Sequence, residues 1–119
     1  MPDTVIAVID DDELVRKSTS SLLRSVGYAT QVYPSARAFL DSEHQQVACI
    51  LTDLQMPGLS GLDLRAELRR RGSSVPMILM TAFATPGVQA QAAVLEMGCV
   101  LEKPINCDRL IGAVEAALA

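Results

Sequence analysis

The 119-residue sequence predicts a doubly wound α/β fold: a five-stranded parallel sheet, strand order 2-1-3-4-5, covered by five helices. Three observations carry this. Apolar strand-like runs and helix-like segments alternate strictly along the whole chain. The most apolar run, Val47–Thr52, has the unbroken character of a strand buried on both faces. Four runs lead into a polar residue, namely Asp10, Asp53, Thr81 and Lys103. The C-terminal edge of an open parallel sheet is where ligands bind, at the point where the strand order reverses.

The elements follow in order. Val5–Ile9 reads as the first strand and Glu13–Val26 as a helix, with Leu14, Ser18, Leu22 and Val26 stepping by four and Gly27 as its stop. Ala29–Tyr33 is a weaker, partly polar strand suited to a sheet edge. Ser35 caps a short helix to about Asp41, and Val47–Thr52 is the central strand. Met56 to Gly61 is a turn-rich loop before a helix over Leu62–Arg71 that stops at Gly72. Pro76–Met80 is the fourth strand. Thr85-Pro86 opens a fourth helix that runs to Met97 and ends at Gly98. Cys99–Glu102 is a short fifth strand, and Asn106 caps a last helix reaching Leu118. With no repeat or linker, residues 1–119 read as a single domain.

Composition narrows the function. A net charge of -4 argues against direct nucleic-acid contact. The one basic run, Arg69-Arg70-Arg71, falls at a helix C-terminus, where cations suit the dipole. Cys49, Cys99 and Cys107 are odd in number and lack metal-ligand spacing, so they read as buried reduced thiols in a reducing compartment. The N-terminus lacks the pattern of a signal peptide, and no run is long enough to span a bilayer. The expected location is cytoplasmic. His44, the only histidine, reads as a solvated loop residue.

The order 2-1-3-4-5 sets strands one and three side by side, so Asp10, Asp11 and Asp53 meet in one crevice. Three carboxylates against the ammonium of Lys103 leave a net charge of -2. Carboxylates at contact distance resist joint ionisation unless a cation compensates. An all-oxygen set suits Mg²⁺, Mn²⁺ or Ca²⁺, and Mg²⁺ takes one or two carboxylates while keeping waters and phosphate oxygens. A carboxylate can also attack phosphorus to give an acyl phosphate. Asp53, alone at the end of the central strand, is the best nucleophile; Asp10 and Asp11 are better placed as metal holders. Thr81 would donate to a phosphoryl oxygen, and Lys103 would pair with the phosphate or with Asp53. An Asp run ahead of a helix also suits the helix dipole without any ligand.

These residues resemble the receiver domain of two-component response regulators, whose fold is flavodoxin-like. The matching pieces are Val8-Ile9-Asp10-Asp11-Asp12, Leu51-Thr52-Asp53-Leu54-Gln55-Met56-Pro57-Gly58, Leu59-Ser60-Gly61-Leu62-Asp63-Leu64, Met80-Thr81-Ala82 and Glu102-Lys103-Pro104. The resemblance spans Val5 to Leu118, and is closest to receivers often fused to LuxR-type helix-turn-helix domains. It implies a signalling domain rather than an enzyme with a separate substrate. Asp53 would be the phosphoacceptor, with a sensor histidine kinase or a phosphotransfer protein as donor and Mg²⁺ as cofactor. Asp11 would ligate the metal directly, Asp10 through water, and the backbone carbonyl of Gln55 would complete the protein ligands beside Asp53. Thr81 and Lys103 would contact the phosphoryl group, with Lys103-Pro104 as a cis peptide. Ala82 would leave room for the phosphate; Gln55 and Phe83 would tune its lifetime.

Two features depart from the family pattern. Val100 stands where an aromatic residue usually precedes the lysine by three. Gly98 lies nearer Lys103 than the family's Gly-Ala step, as if the fourth helix were longer. Val100 therefore leaves open a pseudo-receiver that only dimerises or docks. A haloacid-dehalogenase-like phosphohydrolase shares the Asp, Thr, Lys and Mg²⁺ set, but Asp10-Asp11-Asp12-Glu13-Leu14 breaks its Asp-x-Asp-x-(Thr/Val) motif. In the fourth helix, Val88–Met97 carries only Gln89, Gln91 and Glu96 as polar residues. Helix propensity of alanine and an interface, to a homodimer or a partner, account for this equally well.

Overall fold

The computed structural model describes residues 4–43 and 46–119; His44 lies outside them. Five strands and five helices alternate: β1 Val5–Ile9, α1 Glu13–Ser25, β2 Ala29–Tyr33, α2 Ala36–Leu40, β3 Val47–Asp53, α3 Gly61–Arg70, β4 Met77–Thr81, α4 Pro86–Val94, β5 Cys99–Glu102 and α5 Cys107–Leu118. All strand pairs are parallel and the order is β2-β1-β3-β4-β5, as the sequence predicts.

The two-residue alternation of the strands builds two apolar layers. Ile6, Val8, Cys49, Leu51, Ile78 and Met80 meet Leu23 of α1 and Leu110 and Val114 of α5 on one face. Ala7, Ile9, Ile50 and Met77 meet Phe39 of α2 and Leu64 and Leu68 of α3 on the other. β2 is an edge strand and is half-exposed, as its polar residues require.

Three expectations need correction. The stripe Leu14, Ser18, Leu22 and Val26 is not the buried face of α1, since Leu14 is 76% exposed and Val26 44%. The inward residues are Thr19, Ser20 and Leu23. A four-residue step drifts round a helix of 3.6 residues per turn, and small polar residues fit the narrow gap beneath. There Ser20 and Thr30 share a hydrogen bond of 2.6 Å.

The fourth helix ends at Val94, three residues earlier than expected, and the break is at Glu96 rather than Gly98. Glu96 takes a left-handed φ of 57°. Its N–H donates to Ala93 O and that of Met97 to Ala92 O, the paired bonds of a Schellman turn. Gly27 and Gly72 close α1 and α3 by the same pair of bonds. The early stop at Glu96 has a tertiary cause. Arg65, buried on α3, donates to the carbonyls of Leu95, Glu96 and Val75, and Arg69 donates to Val94 O. The carbonyls that would have continued α4 are held by α3.

The cysteines are the third correction: all are free, but only Cys49 is buried, Cys99 is half-buried and Cys107 is exposed. Burial pushes the Cys49 thiol up to about 11, which makes it inert at neutral pH.

Candidate functional site

The strand order gathers the predicted residues at one sheet edge. Asp10 follows β1, Asp53 ends β3, Thr81 ends β4 and Lys103 follows β5. Register brings them level: Ile9 pairs with Thr52, Asp53 with Met80, and Thr81 with Glu102. Ligand oxygens of Asp10, Asp11 and Asp53 all lie within 4.8 Å of one another.

The three aspartates of the β1–α1 turn have separate surroundings. Asp10 is fully buried; its Oδ1 accepts from Asp12 N at 2.9 Å and its Oδ2 from Lys103 Nζ at 3.1 Å. Asp11 is exposed and faces the cluster. Asp12 is the N-cap of α1, accepting from Leu14 N and Val15 N, so the helix-dipole reading holds for this member of the run. Asp53 is 7% exposed. Lys103 Nζ reaches its Oδ1 at 3.3 Å and so bridges both buried carboxylates. Lys103-Pro104 is cis, as expected.

Electrostatics follow from this packing. Burial lifts the Asp53 carboxyl above its ordinary range; Lys103 opposes the shift while Asp10 and Asp11 add to it. Burial alone would lower the Lys103 ammonium, but Asp10 and Asp53 outweigh it and hold the group above its usual value. An all-oxygen set with excess negative charge fits a hard divalent cation.

Thr81 lies at the same edge but does not reach the carboxylates. Its hydroxyl accepts from Phe83 N at 3.2 Å. Gln55 lies in the loop after β3, exposed, two residues beyond Asp53. Phe83 is 68% exposed, and Val100 is half-buried on β5 beside Leu79 of β4.

Three residues around the site were given no role there by the sequence reading. Gly61 packs directly beneath Asp53; a Cβ there would stand 2.6 Å from Asp53 O and 2.7 Å from Leu79 Cδ1. Its signal was the capping box Ser60–Asp63, which starts α3 at Gly61 rather than Leu62. Glu102 accepts from Ala84 N at 2.9 Å and ties the β4–α4 loop to β5. Arg16 donates from Nη1 to Asp10 O at 2.7 Å. Its signal was a cation one turn into a helix, where the dipole disfavours it. Beside the cluster, Leu14, Val15, Leu22, Lys103, Pro104 and Ile105 help line a mainly apolar groove of about 560 Å³.

This strand order, with an acidic corner at the switch point, defines a CheY-like fold. A Vibrio cholerae chemotaxis protein, CheY4, superposes with a TM-score of 0.90 over 98% of this chain and 100% of its own, at 20% identity. The description "Response regulator receiver domain" matches residues 6–115, and the chain belongs to that family, the receivers of two-component systems. It is 42% identical to the transcriptional regulatory protein FixJ of Azorhizobium caulinodans, over 99% of this chain and 57% of that protein. The response regulator protein TodT of Pseudomonas putida is 34% identical over 97% of this chain and 51% of its own. The crystal structure of FixJ-N has a TM-score of 0.88 at 32% identity, covering 99% of this chain and 95% of that one. The chain spans about half the length of the curated relatives it matches.

Proposed function

We propose that Asp53 is the phosphoacceptor of this receiver and that a sensor histidine kinase or phosphotransfer protein is its donor. The observation that carries this is the buried carboxylate of Asp53 at the end of the central strand, beside two further carboxylates and 3.3 Å from an ammonium. An Asp53 oxygen forms a bond to phosphorus as the P–N bond of the donor phosphohistidine breaks. The electron pair of that bond returns to the imidazole. Lys103 turns from its carboxylates to the phosphoryl oxygens, and the Thr81 hydroxyl, which donates to Phe83 O, turns to donate there.

Asp10, Asp11, Asp53 and the Gln55 carbonyl would hold Mg²⁺, Asp11 directly and Asp10 through water. When bound, the ion neutralises charge on the phosphoryl oxygens. The domain catalyses only its own phosphorylation and slow dephosphorylation. The apolar groove beside Lys103 suits a helix of the donor. α4 buries only Ala92 among its nine residues and exposes Val94, so this face suits self-association once the switch is set. The setting is cytoplasmic; among the described residues no helix is long and apolar enough to cross a membrane.

Treatment with acetyl phosphate, with and without Mg²⁺, followed by mass mapping, tests the reading. Metal-dependent modification of Asp53, abolished in Asp53→Asn, is expected. Wild-type labelling of that variant would overturn the assignment, and label on Asp10 would favour the hydrolase alternative.

A further inference from the structure

Every polar group of Asp10 is held, each from a different part of the chain. Its N–H donates to Tyr33 O at 3.2 Å. Oδ1 accepts from Asp12 N and Oδ2 from Lys103 Nζ. Its carbonyl accepts from Arg16 Nη1 at 2.7 Å. That carbonyl belongs to the peptide whose N–H is Asp11's, so its orientation sets the direction in which Asp11 leaves the strand. Among the described residues the Asp11 carboxylate accepts no hydrogen bond; its backbone alone aims it at Asp10 and Asp53.

The Glu13 carboxyl is lowered first by Lys17 and only last by the charge of Arg16, so electrostatics account for little of where Arg16 sits. It sits one turn into α1, against the dipole, and among the described residues it forms no ion pair. Among the described residues its side chain's one hydrogen bond goes to the backbone carbonyl of the residue that begins the acidic cluster. We propose that Arg16 is a positioning residue for the divalent-cation site, holding the Asp10–Asp11 peptide so that the Asp11 carboxylate points into the cluster. The inference rests on the metal reading above and deepens it.

The sign of one measurement separates positioning from field. A guanidinium acting only through charge repels a divalent cation, so removing it would tighten binding. A guanidinium that aims a ligand weakens binding when lost, by about tenfold for partners of this outer kind. The test is calorimetric titration of the full chain with Mg²⁺ in wild type, Arg16→Met, Arg16→Lys and Asp11→Ala, with metal-free thermal melts showing each variant folded. Arg16→Met is expected to bind about tenfold more weakly, and Arg16→Lys, which keeps a donor and the charge, to recover most of the loss. Unchanged or tighter binding by Arg16→Met overturns the inference. So does a Lys variant as weak as the Met variant, since Lys keeps the donor. Asp11→Ala reads out the metal assignment separately. If wild type fails to bind, or Asp11→Ala binds as wild type does, the metal reading fails and this inference with it.

Discussion

Asp53 carries a burial cost in the folded chain. Its carboxyl is lifted by burial, so the native state holds that proton more tightly than the unfolded chain does. Between the ordinary carboxyl value of 3.8 and the raised folded value, the native state binds more protons than the unfolded state. Stability contributed by this group therefore falls as pH rises through that window, and the penalty persists above it. Asp53→Asn is expected to melt at a higher temperature than wild type at neutral pH in chelator, and to gain less from added Mg²⁺. Calorimetric melts with and without the metal check both signs; an Asn variant that melts lower in chelator would contradict the account. Lys103 shares that pH direction but contributes favourably at neutral pH. Its raised value means its pairing is fully present below 10.5 and is lost as pH rises through the folded value. Gly61 is the steric counterpart of this charge. A methyl at that position meets the Asp53 carbonyl and Leu79, and neither can move far in a packed core. Gly61→Ala is expected to cost about 1–3 kcal/mol in urea unfolding; a neutral result would mean that α3 can shift away from β3.

At the scale of elements, α4 differs most from its sequence pattern. Its apolar run continues to Met97 without a glycine, so composition offers no stop at Val94. The stop comes from Arg65 and Arg69, which reach across from α3 and take three successive carbonyls, those of Val94, Leu95 and Glu96. Glu96 then adopts a conformation that costs an L-residue roughly 1–2 kcal/mol. Its ion pair to Arg69, 3.9 Å long and exposed, returns little. Replacing Glu96 with glycine removes the strain but adds entropy to the unfolded chain. The net expectation is a gain of about 0.5–1 kcal/mol in denaturant unfolding. A loss would show that the Arg69 pair matters more than its length suggests. By contrast, the caps at Asp12, Ser35, Ser60, Thr85 and Asn106 all accept backbone N–H groups. Ser35, Thr85 and Asn106 were readable as caps directly, because capping is local chemistry between residues two or three apart.

Over the whole molecule, the residue order alone was enough for the sheet. Strict alternation of strand and helix demands parallel strands with right-handed crossovers, and with five strands that left few arrangements. The order 2-1-3-4-5 in turn places Asp10 and Asp53 on adjacent strands before any coordinate is known. The sequence by itself therefore determined the architecture and the gathering of Asp10, Asp11, Asp53, Thr81 and Lys103 at one edge, because both follow from periodicity and from strand order. Only the tertiary structure decided which face of α1 is buried, since a four-residue stripe such as Leu14 to Val26 is compatible with either side until the sheet is in place. It alone decided where α4 stops, that Lys103 bridges Asp10 as well as Asp53, and that Arg16 and Gly61 brace the corner. Each of these depends on a contact between residues far apart in sequence or on a distance of a few ångströms, and a one-dimensional pattern encodes neither.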